Sequence, residues 1–109
     1  MAITQSQTNS DGVVRLTTGS HLDDAATPAL LTITPGYTPR YVRFVNATDR
    51  IEWEWFEGAA DGTTLKTVAA GTRTLDTADA AITVNDDDTI TIPAALILQN
   101  KQYRYYVEG

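Results

Sequence analysis

Glu52 and Glu54 come nearest, of all the side chains in this sequence, to the type and spacing of a catalytic pair. They stand two residues apart in Ile51-Glu52-Trp53-Glu54-Trp55, so on a strand both project from one face, roughly 7 Å apart. Two carboxylates at that separation beside aromatic rings suit glycoside hydrolysis, with one as acid and the other as base or nucleophile. The competing reading is a solvated strand face, or charge that discourages a sheet edge from pairing with a second chain. A chain of 109 residues has little room for the cleft that such a pair needs. The expectation is therefore a protein that is not an enzyme and has no catalytic residues.

The other reactive groups point the same way. His21 is the sole histidine. A Ser-His-Asp relay would have to join it to Ser6, Ser10 or Ser20, and no G-x-S-x-G elbow is present to present a nucleophile. Asn85-Asp86-Asp87-Asp88 is acidic enough for calcium, but its carboxylates are consecutive instead of alternating as in a calcium loop, so it reads as a polar hairpin turn. Asp23-Asp24 carries less still. With one histidine and no cysteine, neither a metal site nor a cofactor is expected. Asn46-Ala47-Thr48 matches the glycosylation triplet and reads as a turn. Trp53, Trp55, Tyr103, Tyr105 and Tyr106 would make a platform on which sugar rings stack. The stronger reading places these alternating aromatics in a core, where each large side chain contributes on the order of 2 kcal/mol by burial.

The elements that must position these groups are strands. Tyr41-Val42-Arg43-Phe44-Val45 is β-branched and aromatic, Asn46 to Asp49 supplies turn chemistry, and Ile51 to Trp55 alternates strictly. This central hairpin places Ile51, Trp53 and Trp55 on a core face and Glu52, Glu54 and Phe56 on the other. Val13 to Thr17 reads as a first strand, ended by Thr18-Gly19-Ser20-His21, and Leu22 to Ala29 as a loop. Leu30 to Thr34 is the next strand, closed by Pro35-Gly36. Thr64 to Val68 and Arg73 to Leu75 follow around Ala70-Gly71. Ala78 to Ala81 suits a brief helical turn. Ile82 to Val84 and Thr89 to Ile92 form a hairpin that Pro93 stops. Ala94 to Asn100 fits either a buried strand or a single helical turn. Gln102 to Val107 is the last strand, with Tyr103, Tyr105 and Val107 on one face. Many short strands between turn signals predict an all-β, single-domain antiparallel sandwich or barrel over residues 13–109. The polar residues 1–12 are expected as a flexible N-terminal arm.

The whole chain narrows the function classes. Its apolar content of 42% and charged content of 20% are those of a globular domain. A net charge of −6 repels phosphate backbones, which argues against a nucleic-acid partner. No apolar run approaches the roughly 20 residues of a membrane helix. The N-terminal sequence lacks the basic flank and apolar stretch of a secretory signal, and the reading is synthesis and folding in the cytoplasm.

The run PGYTPRYVRFVNATDRIEWEWFEG, followed by LKTVAAGTRTL and ILQNKQYRYY, resembles small structural proteins of tailed bacteriophages. Pro39, Arg40, Val42, Asn46, Thr48 and Asp49 carry a P-R-x-V-x-x-x-N-x-T-D stretch. Glu54 to Gly58 carry an E-W-[FY]-E-G segment, and Lys66 to Thr74 a K-T-V-A-A-G-T-R-T segment. Ala59 departs from the methionine expected after the glycine. The similarity spans roughly residues 29–106 and contains no catalytic signature. It implies a virion component, most specifically a capsid decoration (cement) protein on the outside of the head. Its partners would be the major capsid protein and further copies of itself, a trimer being the favoured homo-oligomer, made in the host cytoplasm. Fibre, tail or baseplate components of the same particle are the alternative, and a carbohydrate-binding module is the rival of a different class. The contacts are expected from the arm, residues Ala2, Ile3, Thr4, Gln5, Ser6, Gln7 and Thr8, which would add a strand to a neighbour, and from Glu52 and Glu54 on the rim of the central hairpin.

Overall fold

A computed structural model describes residues 3–9, 15–59, 62–77 and 80–109. Among the described residues ten strands make two antiparallel sheets. The larger holds β1 (Ile3–Asn9), β2 (Leu16–Asp23), β4 (Tyr41–Asn46), β5 (Ile51–Phe56), β6 (Thr63–Thr67), β7 (Arg73–Thr77) and β10 (Tyr103–Glu108), in the order β1-β2-β10-β4-β5-β6-β7. The smaller holds β3 (Leu31–Ile33), β9 (Ile90–Ile92) and β8 (Thr83–Val84), with β9 in the middle. Ala94–Leu96 is a single 3-10 turn after Pro93. The architecture is the expected all-β sandwich.

Period-two alternation divides the large sheet into two faces. Val42, Phe44, Trp53, Tyr103, Tyr105 and Val107 point inward and meet Leu31, Ile33, Ile90 and Ile92 of the small sheet in one cluster. Phe44 stacks on Tyr103 with ring centres 4.9 Å apart and lies 6.0 Å from Trp53. The polar ends of this core are paired, as burial demands. The Tyr103 hydroxyl donates to the Leu96 carbonyl at 2.9 Å and accepts from the Leu98 N–H at 2.8 Å. Tyr37 donates to the Val107 carbonyl at 3.0 Å and shares a 2.8 Å bond with Thr17. The Trp53 indole N–H donates to Asp76 at 3.1 Å, which ties edge strand β7 across β6 to the hairpin.

The turn between β4 and β5 locks the hairpin to β10. Asn46 is fully buried. Its Oδ1 accepts the Asp49 N–H at 3.0 Å and its Nδ2 donates to the Asp49 carboxylate at 3.0 Å. Thr48 accepts the Gln102 N–H at 2.9 Å, Ala47 N–H donates to the Gln102 carbonyl at 2.8 Å, and Lys101 pairs with Asp49 at 3.2 Å. Arg50 closes the turn at φ 59°.

The N-terminal third differs from expectation. Residues 13 and 14 of the expected first strand lie outside the described residues. Thr18 to His21, expected to end that strand, run through the middle of β2. Gly19 sits directly across from Tyr105, a placement in which a large aromatic neighbour compensates a glycine in a ladder. The segment expected as a loose arm is a strand over Ile3–Asn9 and pairs with β2 along its length, from Ile3↔Asp23 to Asn9↔Thr17. It adds a strand to its own sheet, so over these residues arm and domain are one body. Ala2 lies outside the described residues.

Candidate docking face

The small sheet covers the middle of the large sheet's inner face, and no described element packs on the outer face. The register aligns its outward residues in rows: Tyr106, Arg43, Glu54, Leu65 and Leu75 in one, Glu108, Tyr41 and Phe56 in the next, Arg104, Val45 and Glu52 in a third. Phe56 and Leu75 are 48% and 66% exposed. A shallow hollow of 210 Å³ lies among Glu54, Phe56, Thr63, Leu65 and Leu75, and another of 260 Å³ among Thr18, Arg43, Val45, Arg104 and Tyr106.

The two glutamates of the sequence argument sit on this face, and each is engaged. Glu52 accepts from the Arg43 guanidinium at 2.5 Å, and Glu54 accepts from the Tyr41 hydroxyl at 2.7 Å. Burial, and then the Glu54 carboxylate to which it donates, push the Tyr41 phenol well above its ordinary range. Tyr41 also packs against Phe56, ring centres 5.2 Å apart, and edge-on to Tyr106 at 6.2 Å. One ion pair, Arg43–Glu52, and one hydrogen-bonded carboxylate, Glu54, are thus interleaved with aromatic and aliphatic surface. That chemistry binds another protein surface more readily than it moves a proton, because pre-paired charges cost less to cover than free ones.

The remaining expected contact residues lie elsewhere. Ile3, Thr4 and Gln5 are exposed on β1, four strand spacings from β5, about 19 Å; Ser6, Gln7 and Thr8 continue the same strand. Thr4 shares the outer face with Glu52 and Glu54, whereas Ile3 and Gln5 share the inner one. Gln5 reaches His21 Nδ1 at 3.3 Å and also bonds Tyr105. His21 is buried, and its Nε2 has no partner among the described residues. Burial lowers its imidazole pKa, with Asp23 pulling the other way. Asp23 accepts from the Ala25 and Ala29 N–H groups at 2.9 and 3.1 Å, which hold its carboxyl below the usual range and shape the following loop.

Of the other candidates, Asp87 caps its own turn by accepting from the Thr89 N–H at 3.1 Å. Among the described residues no three His, Asp or Glu side chains gather as a metal site. Trp53, Tyr103 and Tyr105 are core residues, so the five aromatics form no common platform. Sequence reasoning placed Phe56 beside Glu52 and Glu54 but missed Leu65, Leu75 and Tyr106 as surface. For Leu65 and Tyr106 the available signal was a buried sequence neighbour, whereas Leu75 lies on a strand with no buried residue, and its place becomes clear only when the strand order is known. Comparison of the chain with protein-family models, with curated proteins and with solved structures returned no match in any of the three.

Proposed function

We propose that this chain is a non-enzymatic virion structural protein, a capsid decoration module that lays the outer face of its seven-stranded sheet on the exterior of a phage head. The observation that carries the reading is that face, on which no described element packs, with exposed Phe56 and Leu75 beside the Arg43–Glu52 pair and the Tyr41-bonded Glu54. The resemblance of residues 29–106 to phage structural proteins supplies the kind of particle. A decoration protein needs a rigid body, a broad contact face and many copies. Repeated weak contacts on one lattice act at high effective concentration, and binding the assembled shell in preference to its parts stabilises it. The major capsid protein is the partner on this face. β1 and β7, the edges of the large sheet among the described residues, offer backbone groups to further copies of the chain, a trimer being the favoured ring.

Electron microscopy of particles carrying the protein is the test. Density on the outer surface of the head supports the proposal, and density on a tail, fibre or baseplate overturns it in favour of that alternative. The double variant Phe56→Asp, Leu75→Asp is expected to lower head occupancy roughly tenfold or more, as loss of central apolar contacts does, with melting unchanged. Full occupancy by that variant would remove the outer face from the proposal.

A further inference from the structure

We propose that the hollow between the end of β5 and the β8–β9 turn binds a neutral saccharide, one ring or two in size. This hollow has a volume of 360 Å³ and is lined by Trp55, Ala59, Gly62, Thr83, Asn85 and Asp86. It lies at the small end of the range for small-molecule sites, about 300–1,000 Å³. Trp55 faces inward on β5, on the side of the sheet opposite Glu54 and Phe56, so the hollow opens on the other side of the large sheet from the docking face, the two meeting only at Ala59. The inference stands on the lining alone. Combined with the proposed function, it directs the hollow away from the shell.

The lining suits a sugar in each of its parts. A sugar ring has an apolar C–H face and a rim of hydroxyls that both donate and accept. Trp55 is half-buried and packed against the core cluster, so its indole is held in place before anything binds, which reduces the ordering cost. It provides a rigid apolar ring with a polar handle, and its N–H has no partner among the described residues. Asn85 is fixed by bonds from its Nδ2 to Thr89 and Thr91 at 3.1 and 3.0 Å, which leaves its carbonyl oxygen as an acceptor. The adjacent Asp86 is exposed, and its carboxylate has no partner among the described residues. Neighbouring hydroxyls of a sugar donate to such a pair of acceptors, and a hydrogen bond to a charged acceptor contributes about twice a neutral one. Among the described residues no Lys or Arg lines the hollow, so phosphate, sulfate and uronate groups find no counter-charge there and meet Asp86 instead.

The test is an amide-resolved NMR titration of the full chain with the methyl glycosides of glucose, galactose, mannose and N-acetylglucosamine, and with methyl glucuronide. At least one neutral glycoside is expected to give saturable shifts at Trp55, Gly62 and residues 83–86, with a Kd of about 0.1–10 mM. Asp86→Ala, which touches no core group, is expected to weaken binding about tenfold, equivalent to one charge-assisted hydrogen bond, with unchanged melting. Trp55→Phe is expected to weaken it about threefold by shrinking the ring. The proposal is overturned if none of the four neutral glycosides saturates by about 50 mM, far above the expected Kd. It is equally overturned if the shifts map to the outer face, if both variants bind as the parent does, or if the glucuronide binds more tightly than the glucoside.

Discussion

The two faces of the large sheet come from the same strands and the same alternation, yet they solve different problems. On the inner face, apolar area is covered by the small sheet and every buried hydroxyl of Tyr37 and Tyr103 finds a partner. On the outer face, Phe56 and Leu75 stay in water while Arg43, Glu52, Tyr41 and Glu54 satisfy one another. The contrast teaches that alternation sets which side a residue takes, and that what covers the side sets whether the residue contributes to stability or remains available to a partner.

The sharpest way to break this contrast is at its core. Phe44→Ala is expected to cost about 3–5 kcal/mol in chemical denaturation, because it removes the ring stacked on Tyr103 and leaves a cavity. A loss below about 1 kcal/mol would mean that the inner face is loosely packed. Asn46→Ala comes next, at about 1–3 kcal/mol, since it strands the buried partners of the β4–β5 turn.

Acid gives a smaller, graded loss. The unfolded chain takes up a proton at His21 near the ordinary imidazole value of 6.5, while the folded chain, whose imidazole lies lower, does not. The neutral form's advantage is therefore full at higher pH and declines below 6.5 until folded His21 is itself protonated. Below 3.8, the ordinary carboxyl value, the same logic removes the contribution of Asp23, whose folded carboxyl lies lower still. His21→Phe should flatten the upper part of the melting-against-pH curve and leave the lower part. An unchanged upper part would exclude His21 as its source.

The outer face sets the small end of the scale. A double-mutant cycle on Arg43 and Glu52 is expected to return at most about 1 kcal/mol, as partly exposed pairs do. Phe56→Thr should shift stability by no more than about 0.5 kcal/mol. A large destabilisation by Phe56→Thr would mean that this side chain belongs to the fold instead of to a contact surface.

Much of this was legible in the chain itself, and the exceptions have physical reasons. The β4–β5 hairpin, β3, β9 and the buried side of β10 follow from alternation bounded by turn residues. The turn Asn46 to Asp49 was readable as a turn but not as the clasp on β10, because its partners Gln102 and Tyr103 are more than fifty residues away. β1 was unreadable as a strand. Ile3-Thr4-Gln5-Ser6-Gln7-Thr8-Asn9 has almost nothing to bury, and it is extended because β2 offers it a ladder. Glu52 and Glu54 were found on their face, but the rows through Leu65 and Leu75 depend on strand order. The hollow at Trp55 joins residues some thirty positions apart, which no local pattern announces.

Among the described strands the latest in chain order is an interior one. β10 lies between β2 and β4, so while the chain is being synthesised both neighbours wait with unsatisfied backbone until residues 103–108 arrive. Such long-range pairing slows folding. It also means that shortening the chain before Tyr103 would remove a keystone and leave two raw edges facing each other across a gap.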